Sequence, residues 1–331
     1  MIFMCTSIVY ENKENNFFLA RTMDFSFPLG GSPIFIPKDY TFYVDNDSKN
    51  FDVQYSFVGS GRHIEDYLFA DGVNEEGLGV ASLYFSDDAN YTALDDEAEH
   101  FLAPHDVVAW LLSSFKTVAE VKKGIASQTI KAEECSVIGN VLPLHWIVSD
   151  QKGETIVIEP TKAGLIIYDN PVKVMTNSPD FSWHLTNLNQ YNQLSNTTLK
   201  ESSYHHFLAK GNGAGSGALG LPGDYTSISR FIRTAFISEH IEKVGGFEES
   251  INVITRLLSS VFIPKGIKKK ENGKDDYTQF ISYMALNDCS YVINYYETNQ
   301  LFKVDLKKMS RTQHEIKEFK CSKELQIELL Q

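Results

Sequence analysis

Strand-like runs dominate the first third of the chain. CTSIVY at 5–10 and FFLARTM at 17–23 are rich in β-branched and aromatic residues, and the polar stretch Glu11–Asn16 separates them. That pattern predicts a hairpin with a loop somewhat longer than the tightest turns. Further strands are expected at 52–59, 67–71 and 77–85, with Asp71-Gly72-Val73-Asn74 and then Gly77 as turns between the last two. Apolar residues then move to helical spacing over 104–115, with Pro104 near the first turn, and Thr117 with Glu120 forms a capping box for a second helix through about 126. Strands return at 144–149 and 154–159, joined by Asp150-Gln151-Lys152-Gly153, and again near 164–168 and 172–176. The last third predicts helices over 227–243 and 248–262 and strands over 277–286, 290–296 and 301–305.

No strict βαβα alternation is present, so antiparallel strands interleaved with helix pairs point to an α+β fold. Two sheets between helical layers fit the order. No internal repeat is visible, and a single domain over residues 5–331 is expected.

The composition narrows the function classes. Across 331 residues, 43% are hydrophobic, with 22 Phe and 16 Tyr, enough for a sizeable core and an apolar pocket. A formal net charge of −13 excludes a phosphate-backbone partner and a polybasic membrane patch. No segment reaches the ~18 uninterrupted apolar residues of a membrane span. Cys5, Cys135, Cys289 and Cys321 are widely separated, unlike a disulfide framework or a zinc ribbon. Free thiols and a start without a basic, then apolar, leader lead to the expectation of a cytoplasmic protein.

Several motifs invite a different reading. Gly215-Ser216-Gly217-Ala218-Leu219-Gly220 satisfies GxGxxG, but Pro222 and Gly223 oppose the helix that a dinucleotide fingerprint opens. The adjacent pair His205-His206 points its members apart, and no HExxH or GxSxG is present, so neither a metal site nor a serine hydrolase is expected. The lysines of 265–274 read as a solvated loop.

Cys5 stands at the head of the first strand, where a buried packing role is the ordinary one. Met4 precedes it. Translation from Met4, or loss of residues 1–4, exposes Cys5 as a residue with thiol and free amine together. An α-amine of pKa roughly 7.7–8.0 suits a base that takes the thiol proton. The hairpin brings Arg21 and Asp24 back beside Cys5, Arg21 to favour the thiolate and Asp24 to hold the ammonium. Asn177, ahead of Pro179, is placed to offer a carboxamide N–H to an oxyanion; a turn or helix cap is its other reading.

These residues carry a resemblance. MCTSIVY at 4–10, ARTMDF at 20–25, DGVNEEGLGVASLYF at 71–85, LPLHWIVSD at 142–150, VMTNSPDFSWHLTNL at 174–188, GLPGDYTSISRF at 220–231 and YTQF at 277–280 resemble, in order, the choloylglycine hydrolase family of N-terminal-nucleophile hydrolases. That family holds penicillin V acylases and conjugated bile salt hydrolases. The resemblance implies a four-layer αββα sandwich, Cys5 as nucleophile with its own amine as base, and catalytic Arg21, Asp24, Asn177 and Arg230. It implies that the Tyr84 backbone N–H completes the oxyanion hole with Asn177. It implies no cofactor or metal, a small-molecule N-acyl amide as substrate, and a homo-oligomer, often a tetramer. Bile salt hydrolases usually carry Asn where this chain has Tyr84, so Tyr84 and Ser178–His184 place penicillin V first and conjugated bile salts or other N-acyl amides as alternatives. A non-catalytic ligand-binding relative is the reading from outside the enzymes. Met23, Phe25, Phe27 and Phe85, with Tyr84, are the candidate pocket residues.

Overall fold

The computed structural model describes residues 4–28, 30–43, 50–64, 66–86, 88–93, 101–136 and 138–330. Met1, Ile2 and Phe3, which the expected maturation would remove, lie outside them.

Two sheets form the centre. The six-stranded sheet runs, in spatial order, Val174–Met175, Met4–Glu11, Phe17–Phe25, Tyr277–Ala285, Ser290–Tyr295 and Leu301–Asp305. Every neighbouring pair is antiparallel. The nine-stranded sheet is antiparallel too, and its middle holds Leu144–Ser149, Gly79–Tyr84, Asp71–Asn74, Phe57–His63 and Ser32–Ile36. The two sheets pack face to face, Met4–Glu11 and Phe17–Phe25 of one against Gly79–Tyr84 of the other. Both faces are therefore buried, which is why Phe17–Phe25 reads as a continuous buried run and not as alternation.

Helices cover the outer faces. Ser227–His240 and Phe247–Ser259 lie on the six-stranded sheet, and Val107–Ser114 lies on the nine-stranded one, which completes the αββα order. Thr226 caps the first of these by accepting from the Ser229 N–H, and Asp224 accepts from the hydroxyls of both Thr226 and Ser229. Those bonds, and the loss of the charged form's hydration on folding opposing them, leave the Asp224 carboxyl at about 2.

The expected elements are present with shifted ends, and three stretches differ from expectation. Asp71–Asn74, turn-like in composition, is a central strand. Gly59 allows it: a Cβ there would stand 2.0 Å from the Asp71 carbonyl oxygen, so only glycine lets the two strands approach. The run 52–59 is broken, with Phe51–Asp52 and Phe57–His63 in different sheets. The hairpin of Ser202–Tyr204 with Phe207–Ala209 stands exposed beyond the layers, and it places His205 and His206 at its turn. Residues 215–220 hold only a short turn of 3-10 helix, Ser216–Ala218. No helix among the described residues is long and apolar enough to cross a membrane.

Candidate active site

The hairpin register sets the site. Cys5 pairs with Met23, Ser7 with Arg21, and Met4 with Asp24. Side chains alternate along a strand, so Arg21, Met23 and Phe25 share one face and all three line a cleft that Cys5 also lines. Asp24 falls on the opposite face, level with the residue before Cys5.

Cys5 is almost wholly buried at the floor of the cleft. Arg21 Nη2 donates to its sulfur at 2.7 Å. Burial pushes the thiol pKa up, the positive charge of Arg21 opposes that, and the charge of Asp24 adds to it. The Cys5 backbone N–H donates to Asn177 Oδ1 at 2.8 Å. Arg230, reaching in from the helix, donates through Nη2 to the same oxygen at 2.7 Å. Its Nη1 donates to the Cys5 carbonyl at 2.5 Å and to Thr6 Oγ1 at 2.6 Å. Its Nη2 also touches Met4 Sδ at 3.1 Å.

Asn177 is held as tightly as it holds others. Its Nδ2 donates to the Tyr84 carbonyl at 2.8 Å, and its backbone N–H donates to Ser227 Oγ at 2.9 Å. The helix cap that follows is Asp180, which accepts from Trp183 N–H, so Asn177 is not the cap. A buried pair supports the segment: His145 meets Glu159 through Nδ1 at 3.0 Å and the Thr176 carbonyl through Nε2 at 2.9 Å. Glu159 also accepts from the Phe181 N–H.

The Tyr84 backbone turns toward the same place. Phe85 N–H donates to the Pro143 carbonyl, so Tyr84 and its opposite residue Leu144 form a pair without ladder bonds. The Tyr84 N–H and C=O therefore both point away from that strand, to the side where Asn177 sits.

All five predicted catalytic residues thus converge, together with the Tyr84 backbone. Asp24 accepts from Thr278 Oγ1 at 2.6 Å and from Thr22 Oγ1 at 3.2 Å. Burial drives its pKa up to about 6, partly countered by Arg230 and the Thr278 hydrogen bond. With Met4 in place, the carboxyl thus binds a proton more readily folded than unfolded. Between the unfolded value of about 3.9 and the folded value, the folded chain holds more protons, and its stability falls as pH rises. In the chain that retains Met4, this is worth on the order of 3 kcal/mol between pH ~4 and ~6. Urea unfolding of the chain that retains residues 1–4 by mass, with and without Asp24→Asn, across that window measures it. Equal pH slopes in the two would refute the assignment.

The pocket residues divide. The cleft, about 850 Å³ including its open mouth, is lined by Met23, Phe25 and Tyr84 among mainly apolar side chains. Phe85 is not part of it. Period-two alternation turns Phe85 away from Tyr84, and its ring is fully buried against His145, centroids 4.7 Å apart. Phe27 lies beyond the strand end and packs edge-on against Phe25 outside the lining.

Sequence reasoning missed Asp71, which spans the two sheets. It accepts from Arg21 Nη1 at 3.5 Å, Tyr291 OH at 2.7 Å, Ser282 Oγ at 2.8 Å and Ser60 N–H at 3.3 Å. His105 and Cys135 also line the cleft and carried no sequence signal. Among the described residues, no three His, Cys, Asp or Glu side chains cluster to hold a metal.

Comparison with known proteins agrees with this geometry. Residues 5–319 match the family described as linear amide C–N hydrolases, choloylglycine hydrolase family. The chain is 36% identical over 327 residues to a bile salt hydrolase/transferase of Clostridium perfringens, covering 98% of this chain and 99% of that one. It is 36% identical over 304 residues to one of Lactiplantibacillus plantarum, with 92% of each covered. A mutant structure of the conjugated bile acid hydrolase from Clostridium perfringens superposes with a TM-score of 0.91 at 33% identity, covering 99% of this chain and all of that one. Penicillin V acylase from Agrobacterium tumefaciens shares the fold, with a TM-score of 0.77 at 22% identity over 95% of this chain and 90% of that one.

Proposed function

Because this chain belongs to the choloylglycine hydrolase family of linear amide C–N hydrolases, we propose that it cleaves the amide bond of conjugated bile salts, with Cys5 as an N-terminal nucleophile. The observation that carries the catalytic part is the placement of the Cys5 backbone nitrogen. It lies 2.8 Å from Asn177 Oδ1, while Arg21 reaches the Cys5 sulfur at 2.7 Å inside an apolar cleft.

Loss of residues 1–4 turns that nitrogen into an α-amine. Met4 pairs with Asp24, so its removal leaves the new terminus beside a buried carboxylate, which favours the ammonium form when a proton arrives. The amine takes the Sγ proton, and the thiolate, held by Arg21, attacks the acyl carbonyl carbon. Negative charge builds on the carbonyl oxygen. The second Asn177 Nδ2 proton and the Tyr84 N–H are the donors for it. The C–N bond then breaks, and the α-ammonium returns its proton to the leaving amine. A water, deprotonated by the same amine, hydrolyses the thioester and regenerates the thiol. Arg230 fixes the Cys5 and Asn177 oxygens and supplies positive potential. No step draws on a metal or organic cofactor.

The substrate reading reverses the order that Tyr84 had given. The full-length relatives are bile salt hydrolases, and at 22% identity the likeness to penicillin V acylase speaks for the fold alone. Tyr84 keeps penicillin V as the second reading: its ring lines the cleft and packs edge-on against Phe25, a surface suited to a phenoxy group. Parallel assays with glycine- and taurine-conjugated bile salts and with penicillin V test this. The expected outcome is at least a tenfold higher kcat/KM for a bile salt, on the order of what ~1.4 kcal/mol of better transition-state fit gives. A preference for penicillin V would overturn it. The same proposal includes assembly into a homotetramer, supported by the exposed Tyr204 and Phe207 of the outlying hairpin and read by light scattering.

A further inference from the structure

The cleft wall is apolar almost throughout, and most of its polar side chains are engaged within the protein. Arg21 binds the Cys5 sulfur and Asp71, and Ser82 Oγ donates to the Ala70 carbonyl. Arg62, Tyr84 and Cys135 also have partners. His105 differs. It lies in Pro104-His105-Asp106, just ahead of the helix Val107–Ser114. Bonds from Asp106 N–H to the Ala103 carbonyl and from Trp110 N–H to the Asp106 carbonyl fix the backbone there. The ring lines the cleft, yet it makes no hydrogen bond. Nδ1 is shut away from solvent with no partner. Nε2 has no protein partner either, and it is the nitrogen left on the accessible side.

An imidazole held in an apolar wall without a partner is costly when the cleft is empty of hydrogen-bonding groups. Nδ1 bears that cost in every state, whereas Nε2 bears it only when an apolar group covers it and excludes water; a bound hydroxyl takes the place of that water. Burial also pushes the ring pKa down to about 4, so it is neutral at neutral pH. A neutral ring is a poor partner for a carboxylate. It presents either a donor or an acceptor, according to tautomer, and a hydroxyl suits both because it donates and accepts.

We propose that His105 is a specificity residue of the acyl site: its imidazole hydrogen-bonds a hydroxyl carried on the otherwise apolar acyl group of the substrate. The enzyme thereby favours hydroxylated acyl groups over their bare counterparts. The inference rests on the reading of this cleft as the acyl site.

Binding tests the inference separately from turnover. Product acids are titrated calorimetrically into the Cys5→Ala chain in two matched pairs: cholic against lithocholic acid, and 4-hydroxyphenoxyacetic against phenoxyacetic acid. In at least one pair the more hydroxylated acid should bind about tenfold tighter, a magnitude set by one satisfied buried hydrogen bond. His105→Phe in the same background should bring that ratio near one, and His105→Gln, which keeps a donor and an acceptor, should restore part of it. A merely structural role for the ring would weaken both members equally and leave the ratio unchanged. An unchanged ratio in His105→Phe, no preference in either pair, or no binding of any of the acids overturns the proposal. Absence of bile salt turnover by the Cys5 enzyme, with the binding preference intact, overturns the functional reading alone.

Discussion

Replacing Cys5 with serine, in chain confirmed by intact mass to begin at residue 5, is expected to lower kcat/KM for the amide substrate by at least about 10³-fold. The geometry makes the loss large. Arg21 Nη2 donates to the sulfur, and what it stabilises is a thiolate. A serine hydroxyl is far harder to ionise and is the weaker nucleophile, and a site that holds its nucleophile as a thiolate beside Arg21 is not set for a hydroxyl. The fold should be indifferent, since Cys5 lies in a strand paired on both sides and the change keeps its size. Amide hydrolysis within tenfold of wild type by the processed variant would sink the nucleophile assignment. The amine has its own test. Met4→Ile removes both an internal start and a methionine for removal, and a branched aliphatic chain of similar size takes its place in a buried strand position. That chain, retaining residues 1–4 by mass, should fold and be inactive. In it the Cys5 nitrogen is an amide that only donates to Asn177, and burial leaves the thiol without a base. Activity in a chain with residues 1–4 intact would rule out the free amine.

The parts of this site that were legible in the sequence are those fixed by local geometry. Glu11–Asn16 dictates a hairpin, and a hairpin carries Arg21 and Asp24 back beside Cys5 with no knowledge of the rest of the fold. Asn177 and Arg230 are a different case. Nothing in their spacing says that they share an oxygen: Asn177 was offered by its place ahead of Pro179, with a turn or helix cap as its other reading, and resemblance alone brought Arg230 to the site. Alternation could have excluded Phe85, because Tyr84 and Phe85 are neighbours on a strand and cannot both face one cleft. Asp71 was hidden by its own composition. Asp-Gly-Val-Asn has the residues of a turn, and it is a strand only because Gly59 opens the space for it. His105 was hidden because its place in the cleft depends on how the segment ahead of the helix Val107–Ser114 packs on the inner sheet, a long-range contact with no local signature.

Asp71→Ala is expected to destabilise the fold by about 3–5 kcal/mol, the range for removing one partner of a buried ion pair. Arg21 and Asp71 are both wholly buried, and they face each other across the two sheets. Arg21 spends Nη2 on Cys5 and Nη1 on Asp71, and its Nε has no partner. Without the carboxylate, a guanidinium is left in the core facing only a sulfur. Tyr291 and Ser282 lose their acceptor as well. Asp71→Asn keeps the volume and an acceptor oxygen for these donors, so its cost should be clearly smaller, although the charge on Arg21 is still unbalanced. Urea unfolding of both variants measures the difference, and a loss under about 1 kcal/mol for Asp71→Ala would contradict the role given to the pair. The same variants bear on chemistry. If Asp71 positions Arg21, Asp71→Asn should lower kcat more than it raises KM, because the misplaced guanidinium stabilises the thiolate less while the apolar cleft still binds the acyl group. It should also slow the alkylation of Cys5 by iodoacetamide in the processed chain, a readout of thiolate content that a loss of stability alone would not slow. A charge bridging the two sheets would then hold them together and keep the nucleophile ionisable through one guanidinium.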